Sequence, residues 1–142
     1  MKREIKFRAW DKNTERMWDI ETWHIADEYV DLIEPGKSIA DINAERFWRK
    51  QSEIILMQFT GLHDKNMQEI YESDILRVTQ GEDGESYVAT VKWFGDEDYP
   101  AFDLEGIPET RFYDANALAT IFNSGVETCE VIGNVFEGKT TN

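Results

Sequence analysis

The residues best suited to chemistry fall in one stretch, Phe59 to Leu76, which reads FTGLHDKNMQEIYESDIL. His63 beside Asp64 is the pairing that a general base and its orienting acid would use. Adjacent residues in a turn seldom face each other, however, and no Ser or Cys nucleophile lies near them. His24, in TWHIAD, reads as a packed or surface imidazole, and two lone His with one Cys do not make a zinc motif. The acidic loops GEDGE and GDEDYPAFD gather Asp96, Glu97, Asp98 and Asp103, hard oxygen ligands of the kind Ca²⁺ or Mg²⁺ prefers. Their spacing does not follow the calcium-loop pattern, and charge runs of this sort are usually solvated turns. GEDGES also lacks the Lys and the following helix of a phosphate-binding loop. The expectation is a protein that is not an enzyme and takes neither metal nor cofactor.

The same stretch has an architectural reading. Asp64 and Asn66 suit a tight connection, because each can bond its own backbone and Asn tolerates a left-handed conformation. Asp74 is placed to accept backbone N–H bonds and hold the bend before Ile75. None of these roles needs a substrate.

Bulk properties frame that reading. A chain of 142 residues has the size of one domain and can bury about two-thirds of its unfolded surface without a disulfide or metal. Its lone Cys129 fits a reducing compartment, so the expected location is the cytoplasm. No run approaches the ~18 apolar residues of a membrane span, and MKREIKFRAW has no long apolar core behind its basic residues. Fifteen Lys and Arg against twenty-nine Asp and Glu leave a net charge of -14, which repels phosphate and disfavours nucleic acid as a partner. Basic residues do gather at MKREIKFR and RFWRK.

The elements follow from hydrophobic period. REIKFRAWD alternates as a half-buried strand, and DKNTERMW turns at Asp11 to Asn13 into a returning strand through Met17, Trp18 and Ile20. Trp23 to Ser38 is irregular, broken at Pro35 and Gly36. Ser38 is a candidate cap for a helix from Ile39 to Lys50, with a solvated insertion carrying two aromatics as the other reading. Residues 20–52 are read as a variable insertion in a single domain spanning 1–142. EIILMQFTG is a buried strand, and Ile75 to Phe94 is an antiparallel hairpin around QGEDGE. AFDLEG is a short strand. DANALATIFNSG carries the best helix signal, with Asp114 as cap, Leu118, Ile121 and Phe122 on one face, and NSG as the stop. CEVIGNVFEG is the last strand. The fold class is α+β, mainly antiparallel β with one or two short helices.

Three blocks, EIKFRAWD, LMQFTGLHDKNMQEIYESDIL and EVIGNVFEG, in that order, resemble the YopX family of small proteins encoded by bacteriophages and prophages. The resemblance implies an SH3-like barrel portion and no established activity. Two departures stand out. Family members commonly carry Asn-Gly where this chain has Asn66 and Met67, and a Gly where it has Ser73. Met67 therefore suggests a looser connection or another turn type, and Ser73 argues against a left-handed backbone there.

The expected function is that of a phage or prophage accessory protein, a non-enzymatic module binding a protein partner or itself. The candidate contact residues are Phe47 and Trp48, and an acidic face imitating DNA is a special case of that idea. The alternative is nucleic-acid binding through the basic amino-terminal hairpin, using Lys2, Arg3, Lys6 and Arg8 with Phe7 or Trp10 as a stacking surface.

Overall fold

The computed structural model describes residues 4–81, 84–97 and 99–139. The chain divides into two compact units, Met1–Phe59 and Thr60–Asn142.

The first unit is an antiparallel sheet of β1 (Phe7–Asp11), β2 (Arg16–His24), β3 (Tyr29–Ile33), β4 (Arg46–Lys50) and the opening part of β5 (Ile54–His63). The spatial order is β4-β3-β2-β1-β5, which leaves β4 on the edge. Register places Ala9 opposite Trp18 on one side and Leu56 on the other, and Leu32 opposite both Ile20 and Phe47. Side chains two apart share a face, so Ala9, Trp18, Val30, Leu32 and Ile54 meet in a core lined by Ile20, Trp23, Phe47 and Leu56.

That core contains a charge. Asp11 is fully buried, and a buried carboxylate is tolerated only when donors surround it. Thr14 supplies its hydroxyl at 2.7 Å and its amide at 3.0 Å, and Arg49 its Nε at 3.0 Å. Burial alone would push the Asp11 carboxyl up, but the hydrogen bonds from Thr14 and Arg49 outweigh it and hold the group below its ordinary 3.8. A depressed folded pKa means that the stabilisation is complete above the unfolded value of 3.8 and disappears as pH falls through the lower folded value. Urea unfolding of the wild type should therefore weaken below that pH, and Asp11→Asn should be less stable at neutral pH and lose less on acidification. An unchanged acid slope in the variant would contradict this.

Two expectations for residues 20–52 are corrected. The supposedly irregular Trp23 to Ser38 contains β3, and the helix from Ile39 to Lys50 does not form, its second half being β4. Ser38 does donate its amide to the Asp41 carboxylate at 2.7 Å, but the turns that follow, Asp41 amide to Ser38 carbonyl and Ala44 amide to Asp41 carbonyl, do not propagate. A short helix needs a buried apolar stripe, and Ile39 and Ile42 are 82% and 86% exposed.

The second unit holds the end of β5, then β6 (Glu69–Tyr71), β7 (Asp74–Gln80), β8 (Ser86–Trp93), β9 (Phe102–Glu105), the helix α1 (Ala117–Ser124), β10 (Glu127–Asn134) and β11 (Gly138–Lys139). Its five-stranded antiparallel sheet runs β11-β10-β7-β8-β9, with the expected β7–β8 hairpin inside it. Leu118 and Ile121 of α1 are buried in a core with Leu76, Val78, Val91 and Cys129, and Phe122 packs against it. The helix cap is Asn116 rather than Asp114: Asn116 Oδ1 accepts from the Ala119 amide at 2.8 Å, while its Nδ2 donates to the Phe102 carbonyl at 2.9 Å and ties the helix start to β9. Gly125 ends the helix in the left-handed conformation, φ 70°. The protein is thus mainly antiparallel β with one α-helix among the described residues. Those residues form open sheets, and the barrel portion implied by the resemblance is not closed in them.

Candidate interaction surface

The stretch that invited a catalytic reading is occupied by backbone bonding. Asp64 is 4% exposed, and its carboxylate accepts three amides: Asn66 at 2.8 Å and Gln68 at 2.9 Å on Oδ1, and Val131 of β10 at 2.8 Å on Oδ2. The Met67 amide closes on the Asp64 carbonyl at 2.9 Å and the Asp64 amide on the Gln68 carbonyl at 2.8 Å, a turn followed by one left-handed residue. Buried Asp74 accepts the Tyr71 amide at 2.8 Å and closes the turn between β6 and β7. His63 is half-buried at the end of β5 beside that network, and Asp64 faces backbone amides. Asn66 also reaches Glu130 through Nδ2 at 3.5 Å.

The turn at Asn66 and Met67 is of another type than I′, as Met67 suggests, since only the second of the pair has a positive φ, whereas the expectation against a left-handed backbone at Ser73 is overturned. Met67 has φ 65° and Ser73 φ 77°, so both positions keep the left-handed backbone despite carrying side chains. Tertiary bonds hold the turn at Ser73, whose amide donates to the Val91 carbonyl at 2.8 Å and whose carbonyl accepts from the Val135 amide at 3.0 Å. A left-handed residue with a Cβ costs about 1 kcal/mol or more, partly offset by the extra unfolded-state freedom of Gly. Met67→Gly and Ser73→Gly should each raise unfolding free energy by up to about 1 kcal/mol in urea titrations. A loss of stability in both would refute the strain.

The basic residues offered for nucleic acid are described only in part. Lys2 and Arg3 lie outside the described residues. Lys6 pairs with Glu4 at 3.8 Å, Arg8 is half-buried, and Phe7 packs edge-on against Trp23 at 5.1 Å. In RFWRK, Arg46 is held by Glu21 at 3.1 Å and by the carbonyls of Ser38 and Asp41, and Arg49 by Asp11.

Phe47 and Trp48 are neighbours on the edge strand and therefore point to opposite faces. Phe47 packs edge-on against Trp18 at 4.6 Å with the Arg49 guanidinium 4.3 Å from its ring, so it belongs to the core. Trp48 is 58% exposed. Pairing of β3 with β4 sets Tyr29 opposite Lys50 and Asp31 opposite Trp48, which brings the Tyr29 ring to 6.0 Å from Trp48 in an edge-on arrangement. Behind Tyr29, His24 stacks at 4.0 Å and bonds Asp31 at 2.8 Å through Nε2, fixing the tyrosine plane. The β2–β3 turn adds Asp27 and Glu28, and the chain after β4 adds Ser52. Together Asp27, Glu28, Tyr29, Trp48, Lys50 and Ser52 line a recess of about 320 Å³. Its floor is tied by the Gln51 amide donating to the Glu28 carbonyl at 2.9 Å.

Charge is unevenly divided along the chain. Residues 1–59 carry ten Lys and Arg against twelve Asp and Glu, whereas 60–142 carry five against seventeen, so the second unit holds a net -12 of the total -14. Several of its acids have structural work: Asp103 accepts the Leu104 and Leu118 amides at 2.8 and 3.1 Å, Glu127 accepts Tyr113 and Arg111, and Glu97 pairs with Lys92. Asp98 lies outside the described residues. Among the described residues no group of three metal-ligating side chains converges. Cys129 is buried in the apolar core, which pushes its thiol up to about 12 and keeps it from acting as a nucleophile. No helix of the described residues is long and apolar enough to cross a membrane.

The chain matches the family described as YopX protein over residues 6–139. Its fold is similar to that in the crystal structure of protein EF1440 from Enterococcus faecalis, with a TM-score of 0.57 at 21% identity, covering 96% of this chain and 96% of that one. No curated protein matches it.

Proposed function

Because the chain belongs to the YopX family, with nearly its whole length matched, we propose that it is a phage or prophage accessory protein acting in the host cytoplasm as a non-enzymatic module that binds a protein partner. The observation that carries this reading is Trp48: a large aromatic side chain left 58% exposed on an edge strand, above a recess, in a chain whose other four tryptophans are more covered. Exposed Trp beside a pocket is the usual form of an interface anchor. The motif most suggestive of catalysis is occupied in holding turns, which supports a role outside enzymology. The five-stranded sheet of the second unit is the portion that we equate with an SH3-like module, and its net -12 favours a partner with a basic surface over nucleic acid.

Affinity capture of the tagged protein from bacterial lysate after nuclease treatment tests this. Wild type should retain at least one protein that Trp48→Ala loses, while the variant melts like the wild type because the side chain is largely solvated. Retention that vanishes with nuclease, or that ignores Trp48, would overturn it. Phe47→Ala is the wrong probe, since Phe47 supports the core.

A further inference from the structure

We propose that the Trp48 recess is a receptor for a single cationic side chain, Lys or Arg, presented by a basic segment of the partner. The inference rests on the interaction reading above and names the chemistry of the contact. Three observations carry it, none depending on the others.

The first is the lining. Two carboxylates, Asp27 and Glu28, stand at the mouth, and two aromatic rings, Tyr29 and Trp48, stand edge to face beside them. An ammonium or guanidinium over such rings gains from their negative faces, and flanking carboxylates supply the compensating charge. A neutral or anionic side chain would gain from neither.

The second is that, among the described residues, no cation of the chain itself occupies the site. Among the described residues the carboxylates of Asp27 and Glu28 take part in no hydrogen bond or ion pair, unlike Asp11, Glu21, Asp31 and Asp41, which are all engaged in the same unit. The rings tell the same story. Arg16 lies over Trp18 at 4.9 Å, Arg49 over Phe47 at 4.3 Å, Lys92 over Phe94 at 5.0 Å and Arg111 over Tyr87 at 5.3 Å. Those four rings are covered by the chain's own cations, and among the described residues none lies over Tyr29 or Trp48. Lys50 lines the recess without bridging it to either acid.

The third is the pre-arrangement. Tyr29 is clamped by the His24 stack and the His24–Asp31 bond, and Glu28 is held at φ 56° with its carbonyl bonded to the Gln51 amide. A rigid half-cage loses little freedom on binding.

The test is a titration of the full chain with the capped tripeptides Ac-Gly-Arg-Gly-NH₂, Ac-Gly-Lys-Gly-NH₂ and Ac-Gly-Gln-Gly-NH₂, followed by amide and indole NMR. The two cationic peptides should shift the Trp48 indole and the amides of Asp27 to Tyr29 with a millimolar Kd that weakens with salt, and the Gln peptide should not. Trp48→Ala should weaken binding about tenfold, Asp27→Asn with Glu28→Gln several-fold with a flatter salt dependence, and Lys50→Ala should tighten it. Equal shifts from the Gln peptide, shifts located elsewhere, or none at millimolar peptide would overturn the proposal. Lysate capture that depends on Trp48 together with silent peptides would sink the cation assignment alone. Peptide binding at the recess together with Trp48-independent capture would sink the partner reading and leave the cation site standing.

Discussion

Asp64→Ala is expected to destabilise the protein by about 3–5 kcal/mol, an effect of the size seen when a buried ionic acceptor with several partners is removed. Three amides converge on that carboxylate at 2.8–2.9 Å. A hydrogen bond to a charged group contributes about 1.5–3 kcal/mol, and the three are not additive because losing one loosens the others. Two of them shape the turn and the third fastens β10, so the local loop and a central strand of the second unit would fail together. Asp64→Asn separates charge from geometry. Its amide oxygen could still accept Asn66 and Gln68, which share Oδ1, but its NH₂ would then face the Val131 amide, donor against donor. About half of the loss should remain in Asn. Urea unfolding measures both; a loss under about 1 kcal/mol for Ala would show that the network is dispensable and reopen a chemical role for the His63–Asp64 pair.

Trp18→Ala should cost about 3–5 kcal/mol, the range for deleting a fully buried large aromatic. Trp18 is completely enclosed, and its indole begins a chain that crosses the first unit: Nε1 donates to the Thr14 hydroxyl at 3.0 Å, Thr14 to Asp11 at 2.7 Å, and Arg49 of β4 to Asp11 at 3.0 Å, with the Arg49 guanidinium over Phe47. Phe47 in turn leans on Trp18. Removing the indole therefore empties the core and slackens the anchoring of the edge strand that displays Trp48. Trp18→Phe keeps most of the volume and loses the N–H, and should cost about 1–2 kcal/mol. Amide exchange of β4 relative to β1 provides the second readout: faster exchange confined to β4 in Trp18→Phe is the expected result, and uniform change would mean that the chain of bonds does not reach the edge.

Legibility of the chain from its sequence divides along physical lines. Local signals carried the second unit: the alternation through Ser86–Trp93, the helix face of Leu118, Ile121 and Phe122, and the Gly125 stop all depend on residues near one another. The cap moved from Asp114 to Asn116 because only Asn116 also reaches the Phe102 carbonyl, a tertiary contact. Residues 39–50 misled because Ser38, Ile39 and Ile42 mimic a capped helix, whereas the adjacent pair Phe47 and Trp48, one inward and one outward, has the period of a strand. The left-handed Met67 and Ser73 show tertiary bonds overriding residue preference. Of the candidate residues, Asp64 and Asn66 sit at a turn, Asp74 opens β7 and closes the turn before it, and Phe47 separates from Trp48 across the sheet. The recess was not readable at all, since Asp27 to Tyr29 and Trp48 to Ser52 meet only through the β3–β4 register, and β3 had looked irregular.

Site-specific photocrosslinking in bacterial cells tests most directly whether contact is made at the Trp48 edge and not at the conspicuous FTGLHDKNMQEIYESDIL stretch. A benzophenone amino acid at position 48 keeps an aromatic side chain there, and one at exposed Lys65 samples the turn held by Asp64. Protein adducts from position 48, absent from position 65 and reduced by Asp27→Asn with Glu28→Gln, are the predicted result. Adducts from position 65 alone, or to nucleic acid from either, would contradict the account.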